Sequence, residues 1–261
     1  GWAEAPPRLH GGTISSISGR LRSTRNARLA DIRFDVLTIG NAIVDVIAPA
    51  EPGLLEREGL AEGIMHLIDE TRSLYLYDRM PEEKRQISGG SAANTAAGVA
   101  SLGGRAAFVG KVADDALGDI FADDLHRLGV AYGVSRLENG PSTARSMILL
   151  SPGGERTMNT YLGACHQLTE ADIKEDQIEA ATITYMEGYL WDPVEAKKAF
   201  VQAAHYAHKH EHATSFTLSD PFCVNRYRDE FLDLMRSKTI DYVFANVEEL
   251  KSLYQTQDLG A

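Results

Sequence analysis

Between Phe34 and Gln255 the chain alternates strand-length apolar runs with segments whose apolar residues recur at helical spacing. The strand-like runs are "FDVLTIG" (34–40), extended by "NAIVDVIA", then "RAAFVGKV" (105–112), "ATITYMEGYL" (181–190), "TSFTLSD" (214–220) and "DYVFAN" (241–246). Helical spacing marks the stretch after Gly90, then 115–130, 193–210, 226–238 and 247–255. Strands separated by helices pair through crossover connections. The pattern therefore predicts an α/β fold, a mostly parallel sheet covered by helices. One segment breaks the alternation. "ARSMILL" and "ERTMNTYL" are joined by "SPGG", a hairpin signal. This hairpin, 145–162, is expected to project from the main sheet as a small β lid. Residues 51–85 read as charged, irregular connecting sequence, and no internal repeat is visible.

A chain of 261 residues with 44% hydrophobic content can bury a sizeable core as one large domain. Its formal net charge of −11 argues against a nucleic-acid or anionic-membrane surface. No apolar run reaches transmembrane length. Cys165 and Cys223 lack metal-ligand or redox spacing, so a cytoplasmic setting is expected. Residues 1–33 differ from the rest: six arginines (Arg8, Arg20, Arg22, Arg25, Arg28, Arg33) stand against Glu4 and Asp31, without apolar periodicity. They read as a disordered basic tail ahead of a domain spanning 34–261. An Arg- and Ser-rich transit peptide is the alternative.

Ligands of open parallel sheets sit beyond the carboxyl ends of the strands. Asn41, Asp45, Glu187, Asp220, Asn246 and Glu249 all fall at such ends. Singly, each is more often a helix cap than a ligand; together they favour a ligand cleft. The stretch "QISGGSAANTAAGVASLGG" (86–104) belongs to the same edge. Gly89 and Gly90 allow close approach to the main chain, Ser91 is suited to cap the following helix, and Asn94 falls in that helix's first turn. Free N–H groups there favour oxygen ligands.

Dinucleotide-binding, P-loop and G-x-S-x-G patterns are absent. Four histidines crowd "HYAHKHEHA": His205, His208, His210 and His212. The i,i+4 spacing of His208 and His212 allows a metal site, but the segment lies away from the expected cleft and reads better as a solvated helix end.

Taken together, "ISGGSAANTAAGVASLG", "FDVLTIGNAIVD", "VGKVADDALGDIFADDLHRLGV" and "FANVEEL" resemble, in order, the motifs of ribokinase-like (PfkB-type) carbohydrate kinases. "TLSDPFCVNRY" and the "GNAIVD" opening look closest to adenosine-kinase-like members. The resemblance implies a ribokinase-like sheet with a β lid, and transfer of the ATP γ-phosphoryl to a primary hydroxyl of a nucleoside or sugar, with Mg2+. It implies that Gly89 and Gly90 bring main chain against the substrate, that Asp45 and Asn94 hold its hydroxyls, and that Asn41 and Glu187 line the pocket. Arg156 would meet a phosphate as the lid closes. Asn246 and Glu249 would act on the metal side through water. The partners are small molecules, with no nucleic acid or membrane, and a homodimer through the lid is allowed.

The family's second motif, an Asp after Gly-Ala-Gly at a helix start, should follow the N-x-x-E motif. It does not occur before Ala261. The base and most of the ATP pocket are therefore expected beyond Ala261, and the 261 residues alone are expected to be inactive. The alternative is a sugar- or nucleoside-binding protein without catalysis, or one dependent on a partner.

Overall fold

The computed structural model describes residues 33–133 and 136–258. The basic segment 1–33 lies, except for its last residue, outside the described residues. The strands, in chain order, are β1 (Phe34–Ile39), β2 (Ile43–Pro49), β3 (Met65–Leu67), β4 (Arg85–Gly89), β5 (Ala106–Val109) and β6 (Val130–Tyr132). They continue with β7 (Ala144–Leu150), β8 (Arg156–Tyr161), β9 (Ala181–Glu187), β10 (Ala213–Thr217) and β11 (Tyr242–Phe244). The helices are α1 (Leu54–Glu58), α2 (Glu70–Tyr77), α3 (Ser91–Ser101), α4 (Ala116–Arg127), α5 (Glu175–Glu179), α6 (Val194–Lys209), α7 (Pro221–Arg236) and α8 (Val247–Tyr254).

Six strands form a sheet in the order β11-β10-β9-β1-β5-β6, with every pair parallel. This is the expected mostly parallel sheet flanked by helices. Two apolar cores flank it. One packs Trp191, Phe200, Phe216 and Phe231 against β1 and β9; the other packs Phe108, Phe121 and Leu125 with the face of β2 that carries Val44 and Val46. Two of the larger helices start at side-chain caps. Asp115 accepts from the Gly118 N–H ahead of α4, and Asp220 accepts from the Cys223 N–H ahead of α7, which starts at Pro221 rather than 226. Each such cap is worth about 1 kcal/mol.

The structure corrects four expectations. β2 does not extend β1. The chain breaks at Gly40–Asn41, and β2 enters a second sheet of order β3-β8-β7-β2-β4. The hairpin β7–β8 does lie outside the main sheet, but as the centre of this five-stranded sheet rather than as a free flap. Residues 51–85, expected to be irregular, supply α1, β3 and α2. Gly90, with φ 91°, rather than Ser91, is the N-cap of α3, and Ser91 is the first helical residue.

The break between β1 and β2 has a physical reason. β1 is covered on both faces at its end, with Leu37 to Ile39 all buried, as a central parallel strand requires. β2 alternates buried and half-buried residues along its length, so only one of its faces meets the core. Val44, Val46 and Ala48 point inward, and Ile43, Asp45 and Ile47 point the other way.

Candidate functional site

The order β9-β1-β5 defines where a ligand belongs. From β1 the chain builds outward through β5 and β6, then returns to β9 and builds the other way through β10 and β11. The crevice between the carboxyl ends of β1 and β9 is the topological switch point of the sheet. Asn41 follows β1 and Glu187 ends β9, and they meet there. The Asn41 N–H and Nδ2 each donate to Glu187 Oε1 at 2.7 Å. The other oxygen, Oε2, accepts from Ser91 Oγ at 2.6 Å and the Ala92 N–H at 2.8 Å. Glu187 is 1% exposed. Burial pushes its carboxyl above the usual range, and the four donors pull it back. Asn41 Oδ1, also buried, has no partner among the described residues.

The glycines of the α3 loop are fitted to this crevice. A Cβ on Gly90 would lie 2.2 Å from Asn41 O, and one on Gly40 would lie 2.4 Å from Glu187 Cδ. Both positions exclude any larger residue. Gly89 closes β4 beside β2, where an added Cβ would fall 2.5 Å from Asp45 Cγ.

Asp45 lies on the outward face of β2. Its registered neighbour in β7 is Ser146, and that of Ser146 in β8 is Thr160, so the three form a polar row across the second sheet. Ser146 Oγ and Thr160 Oγ1 share a hydrogen bond of 2.9 Å. Burial pushes the Asp45 carboxyl up to about 6, against the opposing pull of the Arg156 guanidinium. Arg156, at the exposed start of β8, thus acts electrostatically on Asp45. Asn94 is exposed on the first turn of α3. Ser146 and Thr160 escaped the sequence reading, and Ser91, expected as a helix cap, instead donates to Glu187. The one signal of the first two was polarity at strand positions.

Asn246 and Glu249 lie farther along the same edge, past β11, and bind each other. Asn246 Oδ1 accepts from the Glu249 N–H at 2.9 Å, and Glu249 accepts from Asn246 Nδ2 at 2.6 Å and from the Asn246 N–H at 3.2 Å. This is a reciprocal capping box. Both Glu249 oxygens already hold protein donors, which leaves neither free for direct ligation of a metal ion. Of the histidines, His208 pairs with Asp241 at 3.0 Å, and His210 sits between Glu175 and Glu179. Among the described residues no group of His, Cys, Asp or Glu is arranged to hold a metal ion. No described helix is long and apolar enough to cross a membrane.

A parallel sheet with a crevice at its switch point, together with a second β sheet that carries a buried carboxylate, defines an α/β domain with a candidate ligand cleft. The model of the pfkB family of carbohydrate kinases matches residues 60–260, and the chain belongs to that family. The chain is similar to the crystal structure of adenosine kinase from Sinorhizobium meliloti, with 55% identity and a TM-score of 0.79, covering 87% of this chain and 69% of that one. It is equally similar to a probable sugar kinase protein from Rhizobium etli CFN 42, with 54% identity and a TM-score of 0.79, covering 87% and 68% of the two chains. Among curated sequences, probable fructokinase-6, chloroplastic, of Arabidopsis thaliana is 29% identical over 203 residues, covering 76% of this chain. The chain spans about half, 52%, of that relative's length.

Proposed function

We propose that the protein transfers the γ-phosphoryl group of ATP, as its Mg2+ complex, to a primary hydroxyl of a nucleoside resembling adenosine. The observation that carries this reading is the meeting of Asn41, Glu187 and the α3 loop at the switch point, with the Asp45 carboxylate held against Gly89. An ionised carboxylate with two acceptor oxygens suits a pair of vicinal hydroxyls. Asn94, on the first turn of α3, adds an exposed amide beside the same loop. The lid sheet would cover the acceptor and exclude water, with Arg156 drawn toward the transferred phosphate. Asn246 and Glu249 would orient waters on Mg2+.

The likeness to the Sinorhizobium adenosine kinase favours a nucleoside acceptor, and the fructokinase relatives favour a sugar. Calorimetry with adenosine, other nucleosides, ribose and fructose separates the two. Adenosine binding that is lost in Asp45→Ala supports the nucleoside reading. Binding of fructose alone replaces it with the sugar reading, and binding of none removes both.

A second reading, acceptor binding without catalysis by these 261 residues, has its own observation. The carboxylates of the described cleft all have other occupations: Glu187 is saturated, Asp220 caps α7, and Asp45 faces the acceptor. ADP production by the purified chain with ATP, Mg2+ and the acceptor panel tests it. A homodimer through the lid belongs to the same proposal, because β3 edges that sheet and Ile64, Met65 and Leu67 are exposed. Sedimentation of Met65→Lys against the unsubstituted chain tests the dimer.

A further inference from the structure

We propose that Glu187 is the positioning residue of the acceptor site, clamping the Asn41 turn to the start of α3 and fixing which end of the Asn41 amide faces the acceptor. The inference rests on the acceptor-site reading above and adds a residue that acts through others.

The argument begins with donors and acceptors. The two Glu187 oxygens accept two donors each, and the Asn41 side-chain atom 2.7 Å from Oε1 is Nδ2 of its NH2 group. Oδ1 therefore points away from Glu187. It is buried and, among the described residues, unpartnered, an acceptor that awaits a donor. A substrate hydroxyl supplies one, and an analogue lacking that hydroxyl leaves the oxygen unsatisfied. The main-chain N–H of Asn41 goes to the same carboxylate oxygen, so backbone and side chain are held together.

The second carboxylate oxygen performs the matching task on the other segment. It takes the hydroxyl of Ser91 and the N–H of Ala92, in the first turn of α3. These two segments are separated by about fifty residues of sequence and by a change of sheet, and β9 joins them through one side chain. Close packing leaves no alternative arrangement. Gly40 and Gly90 are pressed so tightly that a Cβ at either would overlap Glu187 or Asn41. A shift of the carboxylate would therefore move both segments. Glu187 itself offers the acceptor no free oxygen, which separates it from Asp45.

Glutamine at 187 has one acceptor end and one donor end. It can satisfy the Asn41 side or the Ala92 side, never both. The experiment uses the 261-residue chain and two readouts: amide hydrogen exchange, and calorimetric binding of whichever acceptor the panel identifies. Asp45→Ala serves as the reference. Glu187→Gln is expected to speed exchange at one of the two segments, 40–41 or 91–92, and to weaken acceptor binding by about 10- to 100-fold. Exchange in α6 and β10 should stay unchanged. Ser91→Ala, which removes one donor and keeps the carboxylate, should give a smaller loss at 91–92 only. A purely structural role would speed exchange throughout the β1–β9 core in step with a lower Tm, and that result overturns the proposal. Unaltered exchange at both segments overturns it as well. If exchange responds as expected while Asp45→Ala leaves binding intact, the clamp stands and the acceptor-site reading fails.

Discussion

The Asp45 carboxylate lies where a side chain on Gly89 would have to go: a Cβ built there would sit 2.5 Å from Asp45 Cγ and Oδ1. If Asp45 holds the acceptor as proposed, Gly89 belongs to that site through the space it leaves. Gly89→Ala should displace the carboxylate, with an overpacking cost of about 1–3 kcal/mol. The expected outcome is a lower Tm together with loss of acceptor binding comparable to that of Asp45→Ala. Retained affinity in a folded Gly89→Ala protein would mean that Asp45 does not hold the acceptor.

Asp45 also sets a pH dependence whose sign differs for stability and for binding. Its carboxyl titrates at about 6 in the fold, above the ordinary value of 3.8, because burial disfavours the charge. The stability that protonated Asp45 contributes is complete below pH 3.8 and is lost as pH rises through about 6. Asp45→Asn should therefore stabilise the free protein at pH 7.5, by at most about 3 kcal/mol, and leave it unchanged at pH 3.5. Acceptor binding runs the other way, since hydroxyls donate to the ionised form. Affinity should fall as pH drops below about 6, approaching tenfold per pH unit, and Asp45→Asn should bind weakly at every pH.

Arg156 opposes the effect of burial on Asp45. Its removal in Arg156→Ala should move the midpoint of the binding–pH curve upward from about 6. An unmoved midpoint would confine Arg156 to the phosphate side or to solvent.

The second sheet should tighten over a bound acceptor. Amide exchange in β7 and β8 is expected to slow on addition of the acceptor, while β9 and β10 stay unchanged. Equal protection in both sheets would argue against closure of a lid.

The Asn246–Glu249 box gives two roles that substitution can separate. Asn246→Ala should cost about 1 kcal/mol through loss of the α8 cap. Asn246→Asp keeps a side-chain oxygen for the Glu249 N–H, but brings two carboxylates together and removes the NH2 that binds Glu249. If the pair orients waters on Mg2+, Asn246→Asp should change the Mg2+ dependence of ATP binding beyond what its Tm accounts for. A change that tracks Tm alone would leave the pair as a cap only.

The sequence carried the main sheet well, because strands such as β9 and β10 and helices such as α6 obey strong local patterns. The caps at Asp115 and Asp220 were not read as such, Asp220 standing only among the strand-end residues. The split between β1 and β2 was harder, since Gly40–Asn41 breaks a run that is apolar on both sides of it. The alternation Ile43-Val44-Asp45-Val46 held the signal, namely one buried face where β1 has two. The second sheet was underestimated because its outer members are short, β3 having three residues, and their pairing is non-local. Glu187 was placed at the site from its strand-end position, but its four bonds reach residues far away in sequence. No local pattern encodes a carboxylate that is shared between two distant segments.

At the far border of the main sheet, β11 pairs with β10 on one side only among the described residues. Tyr242 and Phe244 are more than half exposed, at 59% and 57%, and Val243 is at 37%. A row of free peptide N–H and C=O groups flanked by aromatic side chains is a template for a further strand. Asp241 before it and Glu248 after it are the nearest charges of its own segment, and neither interrupts the three-residue run. Among the described residues β11 is therefore a position on the main sheet where another strand could add, and its exposed aromatic side chains are what such a strand would cover.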